Sequence, residues 1–214
     1  MQRLSPCSDE LICAEIAALM PQVNSLLDVG CGRGERMKAI KESFQECGVF
    51  GVDSDEDMVS AAGEAGKVFL ARAEALPFED KSFELALCEC CLSLFDNAEK
   101  ALEEMARVLK AGGILISGEL FALLGGEDFI AAPDGKAIGR IYSREKIELM
   151  AKKAGFRLLK FSDRSQDLAA MAAQMMLDGS FCECMGMETA LLLRRIKARY
   201  GLWIFKKEEK QYEC

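Results

Sequence analysis

Two short stretches carry residue types able to do chemistry. The first is "LLDVGCGRGE" at 26–35, where an apolar run meets Asp28 and then glycines at 30, 32 and 34. Glycines this dense let a backbone approach a ligand closely, and a helix N-terminus placed after them adds N–H donors. The second is "CECC" at 88–91, an acid among three thiols at the end of another apolar run. The chain holds ten cysteines and no histidine. The commonest general base and the commonest metal ligand are therefore missing, and acid–base work falls to carboxylates, Tyr, Lys or Cys.

The glycine spacing narrows the ligand. A dinucleotide loop reads G-x-G-x-x-G, with the third glycine permitting close helix–strand packing below a pyrophosphate on the helix N-terminus. Counted from Gly30, that third place is held by Glu35, whose charge repels a phosphate. Asp53, at the end of the next apolar run, suits the two hydroxyls of a ribose. A glycine loop and an acid without a phosphate clamp point to a phosphate-free nucleoside such as S-adenosylmethionine.

The elements that must position these residues follow from periodicity. Strands are expected at Ser25–Val29, Val49–Val52, Lys67–Ala71, Phe83–Cys88, Ile114–Gly118, Phe156–Phe161 and Leu202–Phe205. Helices are expected at about 8–20, Glu35–Gln45, Asp55–Ala62, Ala98–Leu109, Ser143–Ala154, Gln166–Leu177 and Glu188–Lys197. The Ala98 helix is expected to stop at "KAGG", and residues 119–142 read as an irregular, functional loop. This alternation specifies an α/β, doubly wound, mostly parallel sheet with helices on both faces. No repeat or linker divides the 214 residues, so one domain is expected.

Four ordered stretches, "LLDVGCGRGE", "VFGVDSDEDMV", "ARAEALPFEDKSFELALCECCLSLF" and "KALEEMARVLKAGGILISGE", resemble the class I S-adenosylmethionine-dependent methyltransferases. The likeness is to the small-molecule group that includes ubiquinone/menaquinone C-methyltransferases and arsenite methyltransferases. It implies a Rossmann-like sheet of seven strands whose last strand is antiparallel. It also implies roles. Asp28, Gly30, Cys31, Gly32 and Gly34 would hold the methionine portion and the ribose side, and Asp53 the ribose hydroxyls. Ser54 and Met58 would line the adenine region, with Ala73 and Glu74 at its edge. Cys88 and Glu89 would lie near the methionine portion and the reacting methyl, with Glu89 and Cys90 as the catalytic candidates. Arg72 departs from the family pattern, which favours an acid there, and a guanidinium cannot accept the adenine amino proton.

The acceptor is less legible. Glu89, Glu119 and Tyr142 are the candidate bases by motif position. Cys90, aligned with a metalloid-binding cysteine of arsenite methyltransferases, combines with Cys182 and Cys184 in an alternative thiol- or metalloid-directed reading. A structural zinc or thiolate site is a further reading of that pair, although no metal is expected at the site itself. A cofactor-binding protein without turnover is another alternative. Met171, Met175, Met176, Met185, Met187 and Phe181 fit an apolar substrate pocket, and segments 119–142 and 163–199 are expected to cover the cleft. A net charge of −8 argues against a nucleic-acid partner. No apolar run reaches membrane-spanning length and the N-terminus lacks an apolar leader, so a cytoplasmic protein is expected. Oligomeric state is not legible.

Overall fold

The computed structural model describes residues 5–124, 129–130, 139–179 and 187–209. Seven strands form one sheet: β1 (Ser25–Val29), β2 (Gly48–Asp53), β3 (Lys67–Leu70), β4 (Phe83–Glu89), β5 (Leu109–Ala122), β6 (Phe156–Asp163) and β7 (Ala198–Lys207). Their order is β3-β2-β1-β4-β5-β7-β6. Pairing is parallel from β3 to β5, and β7 runs antiparallel to both neighbours. The sheet is the doubly wound, mostly parallel one expected from the sequence.

Successive residues of the central strands feed opposite cores. Leu27 and Ala86 join the side holding Leu102, Met105, Ile147 and Trp203. Leu26 and Leu85 join the other side, with Ile12, Ile16, Met37 and Ile40. Helices α4 (Ala98–Val108) and α5 (Arg144–Lys153) therefore cover one face. Helices α1 (Asp9–Leu19) and α2 (Glu35–Ser43) cover the other. Burial on both faces explains why the central strands are apolar throughout rather than alternating. Local caps fix the helix starts: Ser8 Oγ accepts the Leu11 N–H, and Asp55 caps α3 (Glu56–Ala62). Helices α6 (Ser165–Leu177) and α7 (Met187–Arg195) lie between β6 and β7 in sequence.

β5 corrects one expectation. The Ala98 helix ends at Val108, and the strand begins at once with Leu109. The Lys110–Gly113 stretch is not a helix stop but an irregularity within the strand, where Phe83 pairs Leu109 and Leu85 pairs Ile114. Gly112, at φ +71°, takes the backbone conformation that this bulge needs. β5 also continues to Ala122, because β7 starts at Ala198, earlier than expected, and pairs with it along that whole length. The first four residues of the expected loop, Glu119–Ala122, are thus strand, and Phe129–Ile130 pairs with Gly139–Arg140. Among the described residues, no helix is long and apolar enough to cross a membrane.

Candidate active site

The strand order reverses between β1 and β4, and ligands of such sheets bind outside the carboxyl ends of the strands at that point. A cavity of about 490 Å³ lies there. Its floor is the turn after β1. The N–H groups of Gly30 and Cys31 both donate to the Val52 carbonyl, at 2.8 and 3.0 Å, tying the turn to β2. Gly32 (φ +53°) donates its N–H to Asp53 Oδ2 at 2.8 Å, and a Cβ there would meet nothing within 4 Å. That open side lets a ligand lie against bare backbone. Asp53 Oδ1 accepts the Asp55 N–H at 3.0 Å, which leaves lone pairs on both oxygens for ligand hydroxyls.

Asp28, Gly30, Cys31, Gly32, Asp53, Ser54, Met58, Ala73 and Glu74 line this cavity, as do Glu89 and Cys90. Gly34 lies outside the lining. It precedes α2 at φ +72°, and a Cβ there would sit 2.4 Å from that of Ala65. Cys88 also lies outside it, buried in the core at 1% exposure. Arg72 does reach the rim, where its guanidinium is paired with Asp96 and Glu74. Glu74 Oε1 in turn accepts the Asn97 N–H at 3.1 Å.

At the other end, Glu89 receives three side-chain donors: Arg36 at 2.5 Å, Ser5 at 2.6 Å and Tyr200 at 3.3 Å. Cys90 takes a left-handed turn (φ +57°) that redirects the chain out of β4, with its Sγ 3.4 Å from the Tyr200 hydroxyl. Burial pushes the Cys90 thiol well above the usual range, and at Cys91 a hydrogen bond with the Cys88 thiol does the same, with burial adding to it. Both sulfurs are therefore protonated at neutral pH. Glu119 sits behind this turn, receiving the N–H groups of Cys91 and Leu92 at 3.0 and 2.8 Å. Burial pushes its carboxyl up to about 8. Tyr142 is buried in the core beneath α5. Of the three candidate bases, only Glu89 lines the cavity.

Cys182, Cys184, Phe181 and Met185 lie outside the described residues. Among the described residues, no group of three His, Cys, Asp or Glu side chains is arranged to hold a metal ion.

Residues 27–117 match the family model described as a methyltransferase domain. An uncharacterised methyltransferase of Bacillus subtilis is 36% identical over 96 residues, 41% of this chain and 37% of that protein. Malonyl-[acyl-carrier protein] O-methyltransferase 1 of Coxiella burnetii is 31% identical over 91 residues, 42% of this chain and 32% of that one. The chain carries, over residues 27–117, a methyltransferase domain of the class I S-adenosylmethionine-dependent kind. Its matches span less than two thirds of the length of these curated relatives. The phosphoethanolamine N-methyltransferase 2 of Haemonchus contortus, solved with S-adenosylmethionine, has the same fold. It aligns with a TM-score of 0.76 at 18% identity, over 97% of this chain and 54% of that one.

The family's cofactor fits the cavity seen here. Gly32 offers bare backbone beside open space, Asp53 offers acceptors for two hydroxyls, and Glu35 in the lining disfavours a phosphate at the α2 N-terminus. Ser5, Arg36 and Tyr200 were not singled out by sequence reasoning. For Arg36 a signal existed: a cation in the first turn of a helix opposes the macrodipole and calls for dedicated acidic partners.

Proposed function

We propose that this methyltransferase domain transfers a methyl group from S-adenosylmethionine to a small-molecule acceptor. The observation that carries this reading is one cavity joining the Gly30–Gly34 turn and Asp53 to the Glu89–Cys90 end of β4. The cofactor, when bound, supplies a sulfonium methyl already activated for in-line displacement. The chain's own contribution is alignment and exclusion of water, and alignment of this kind is worth at most ~7–11 kcal/mol. Asp53 accepts from the ribose, the open side of Gly32 permits close approach of the methionine side beside Asp28, Gly30 and Cys31, and Ser54, Met58, Ala73 and Glu74 frame the base. Glu89 and Cys90 face the acceptor. The described parts of segments 119–142 and 163–199 are assigned as its cover; residues 125–128, 131–138 and 180–186 lie outside the described residues. Support comes from the start of α6, where Ser165 Oγ accepts the Tyr200 N–H at 3.3 Å, next to the tyrosine whose hydroxyl meets Glu89 and Cys90. Protonated Cys90 and Cys91 do not favour a thiolate, metalloid-binding mouth.

Calorimetry tests the cofactor half. Asp53→Ala is expected to weaken S-adenosylmethionine binding by ~1.5–3 kcal/mol, the range for hydrogen bonds to a charged group. Unchanged affinity in a folded variant removes Asp53 from the site. A second measurement addresses ligand class: S-adenosylmethionine is expected to raise the melting temperature far more than NAD at equal concentration. Stronger stabilisation by NAD contradicts the role given to Glu35. Release of S-adenosylhomocysteine across a panel of amine, phenol, thiol, metalloid and carboxylate acceptors tests turnover, and binding without release under all of them favours a non-catalytic cofactor-binding role.

A further inference from the structure

Arg36 is 3% exposed, yet it occupies the first turn of α2, where the helix dipole disfavours a cation. A buried guanidinium is tolerated only when acceptors surround it. Here they come from two distant parts of the chain. Nη1 donates to Asp9 Oδ1 at 2.7 Å. Nη2 donates to Glu89 Oε2 at 2.5 Å, to the Cys7 carbonyl at 2.9 Å and to Ser5 Oγ at 3.3 Å. Ser5 Oγ donates onward to the second Glu89 oxygen at 2.6 Å. Ser5, Arg36 and Glu89 all line the cavity. Ser5–Ser8 lies ahead of α1 and outside any helix or strand, so its placement at the cavity depends on these side-chain bonds and on the buried Cys7.

We propose that Arg36 is a positioning residue that completes the methionine end of the cofactor site. One guanidinium holds the Glu89 carboxylate at the cavity wall and ties Ser5–Asp9 across that end, so the segment is a strap that must part for the cofactor to exchange. The proposal deepens the methyl-transfer reading and rests on it. The ion pair suits this task because it is directional and largely dry: a planar fork meets several acceptors in fixed geometry, which a lysine cannot reproduce. Removing the cation leaves the buried Glu89 carboxylate without its charge partner at the cavity wall.

The test uses the full chain with Arg36→Met, Arg36→Lys and Asp9→Asn. Two quantities are read: amide hydrogen exchange at residues 5–9 without cofactor, and the dissociation rate of S-adenosylmethionine by rapid dilution. Arg36→Met is expected to raise both at least tenfold, and Arg36→Lys to raise both by less. Asp9→Asn, which alters a half-exposed acceptor outside the cavity lining, is expected to raise both severalfold while circular dichroism stays native. It keeps the question decidable should Arg36→Met fail to fold. Unchanged exchange and unchanged dissociation in folded Arg36→Lys and Asp9→Asn overturn the strap. Failure of the wild-type protein to bind S-adenosylmethionine overturns the methyl-transfer reading instead, and hydrogen exchange still reports whether Arg36 ties the segment down.

Discussion

Glu119→Gln is expected to become progressively more stable than the wild-type protein as pH rises, with the gain levelling off above about 8. The reason is the site of the carboxyl. Glu119 is 2% exposed on β5, and burial raises its pKa from 4.5 to about 8, with the nearby Glu89 charge adding to the shift. The thiols of Cys88, Cys90 and Cys91 face the same turn but are themselves pushed up, so they do not titrate in this window. A raised carboxyl means the folded state holds its proton where the unfolded state has lost it. Stability from this group is complete below pH 4.5 and is lost as pH climbs through 8. The slope is at most about 1.4 kcal/mol per pH unit. Glutamine keeps a carbonyl oxygen for the Cys91 and Leu92 N–H groups and removes the charge. Glu119→Ala also removes the acceptor, so it is expected to destabilise at every pH by ~1–3 kcal/mol for each N–H left without a partner. Urea unfolding of the three proteins between pH 5 and 9 decides it. Parallel curves for wild type and Glu119→Gln would show that the carboxyl is not held protonated by the fold.

That result bears on catalysis as well. A buried acid with a raised pKa near the reacting end of a site reads, from sequence position alone, as a general base. The geometry assigns it to the turn instead: its Oε1 accepts the N–H groups of both Cys91 and Leu92, and the cavity does not reach it. Glu119 therefore acts on the cavity wall by holding the turn that carries Cys90, Cys91 and Leu94.

The parts of the site that could be read from the sequence are those whose cause is local. The Gly30–Gly34 turn, Asp53 and the end of β4 each follow from a strand running into a residue pattern that permits only one kind of continuation. The parts that escaped depend on partners distant in sequence. β5 reaches Ala122 only because Ala198–Arg199 is there to receive it, and no property of residues 119–122 announces that partner. The "KAGG" stretch carries the composition of a helix stop, but parallel pairing on β4 turns it into a bulge. Tyr200 lies on the last strand and Ser5 ahead of the first helix, so only the folded sheet brings both to Glu89. Arg36 was within reach of sequence reasoning, because a buried-face cation in a first helical turn already implies carboxylates nearby.

Gly30→Ala is expected to abolish measurable cofactor binding and to destabilise the fold by ~2–5 kcal/mol, combining overpacking with a left-handed backbone. The added Cβ would lie 2.4 Å from Cys91 Sγ and 2.9 Å from Cys91 Cβ, at a residue whose φ is +77°. Neither side has room to yield. Gly30 is held to β2 through its N–H at 2.8 Å from the Val52 carbonyl. Cys91 is held through its N–H to Glu119 at 3.0 Å and through its Sγ to the Glu89 carbonyl at 2.8 Å. The collision therefore spreads into both the β1 turn and the β4 turn, the two walls between which the methionine portion is assigned. Because the strain has two separable parts, a double-mutant cycle resolves them. Cys91→Gly deletes the atoms struck, so Gly30→Ala/Cys91→Gly should recover the steric part and leave only the cost of a left-handed alanine. Coupling of this sign is expected only for residues in direct contact. Strict additivity of the two single changes, measured by urea unfolding, would mean that the β1 and β4 turns do not close against one another at Gly30.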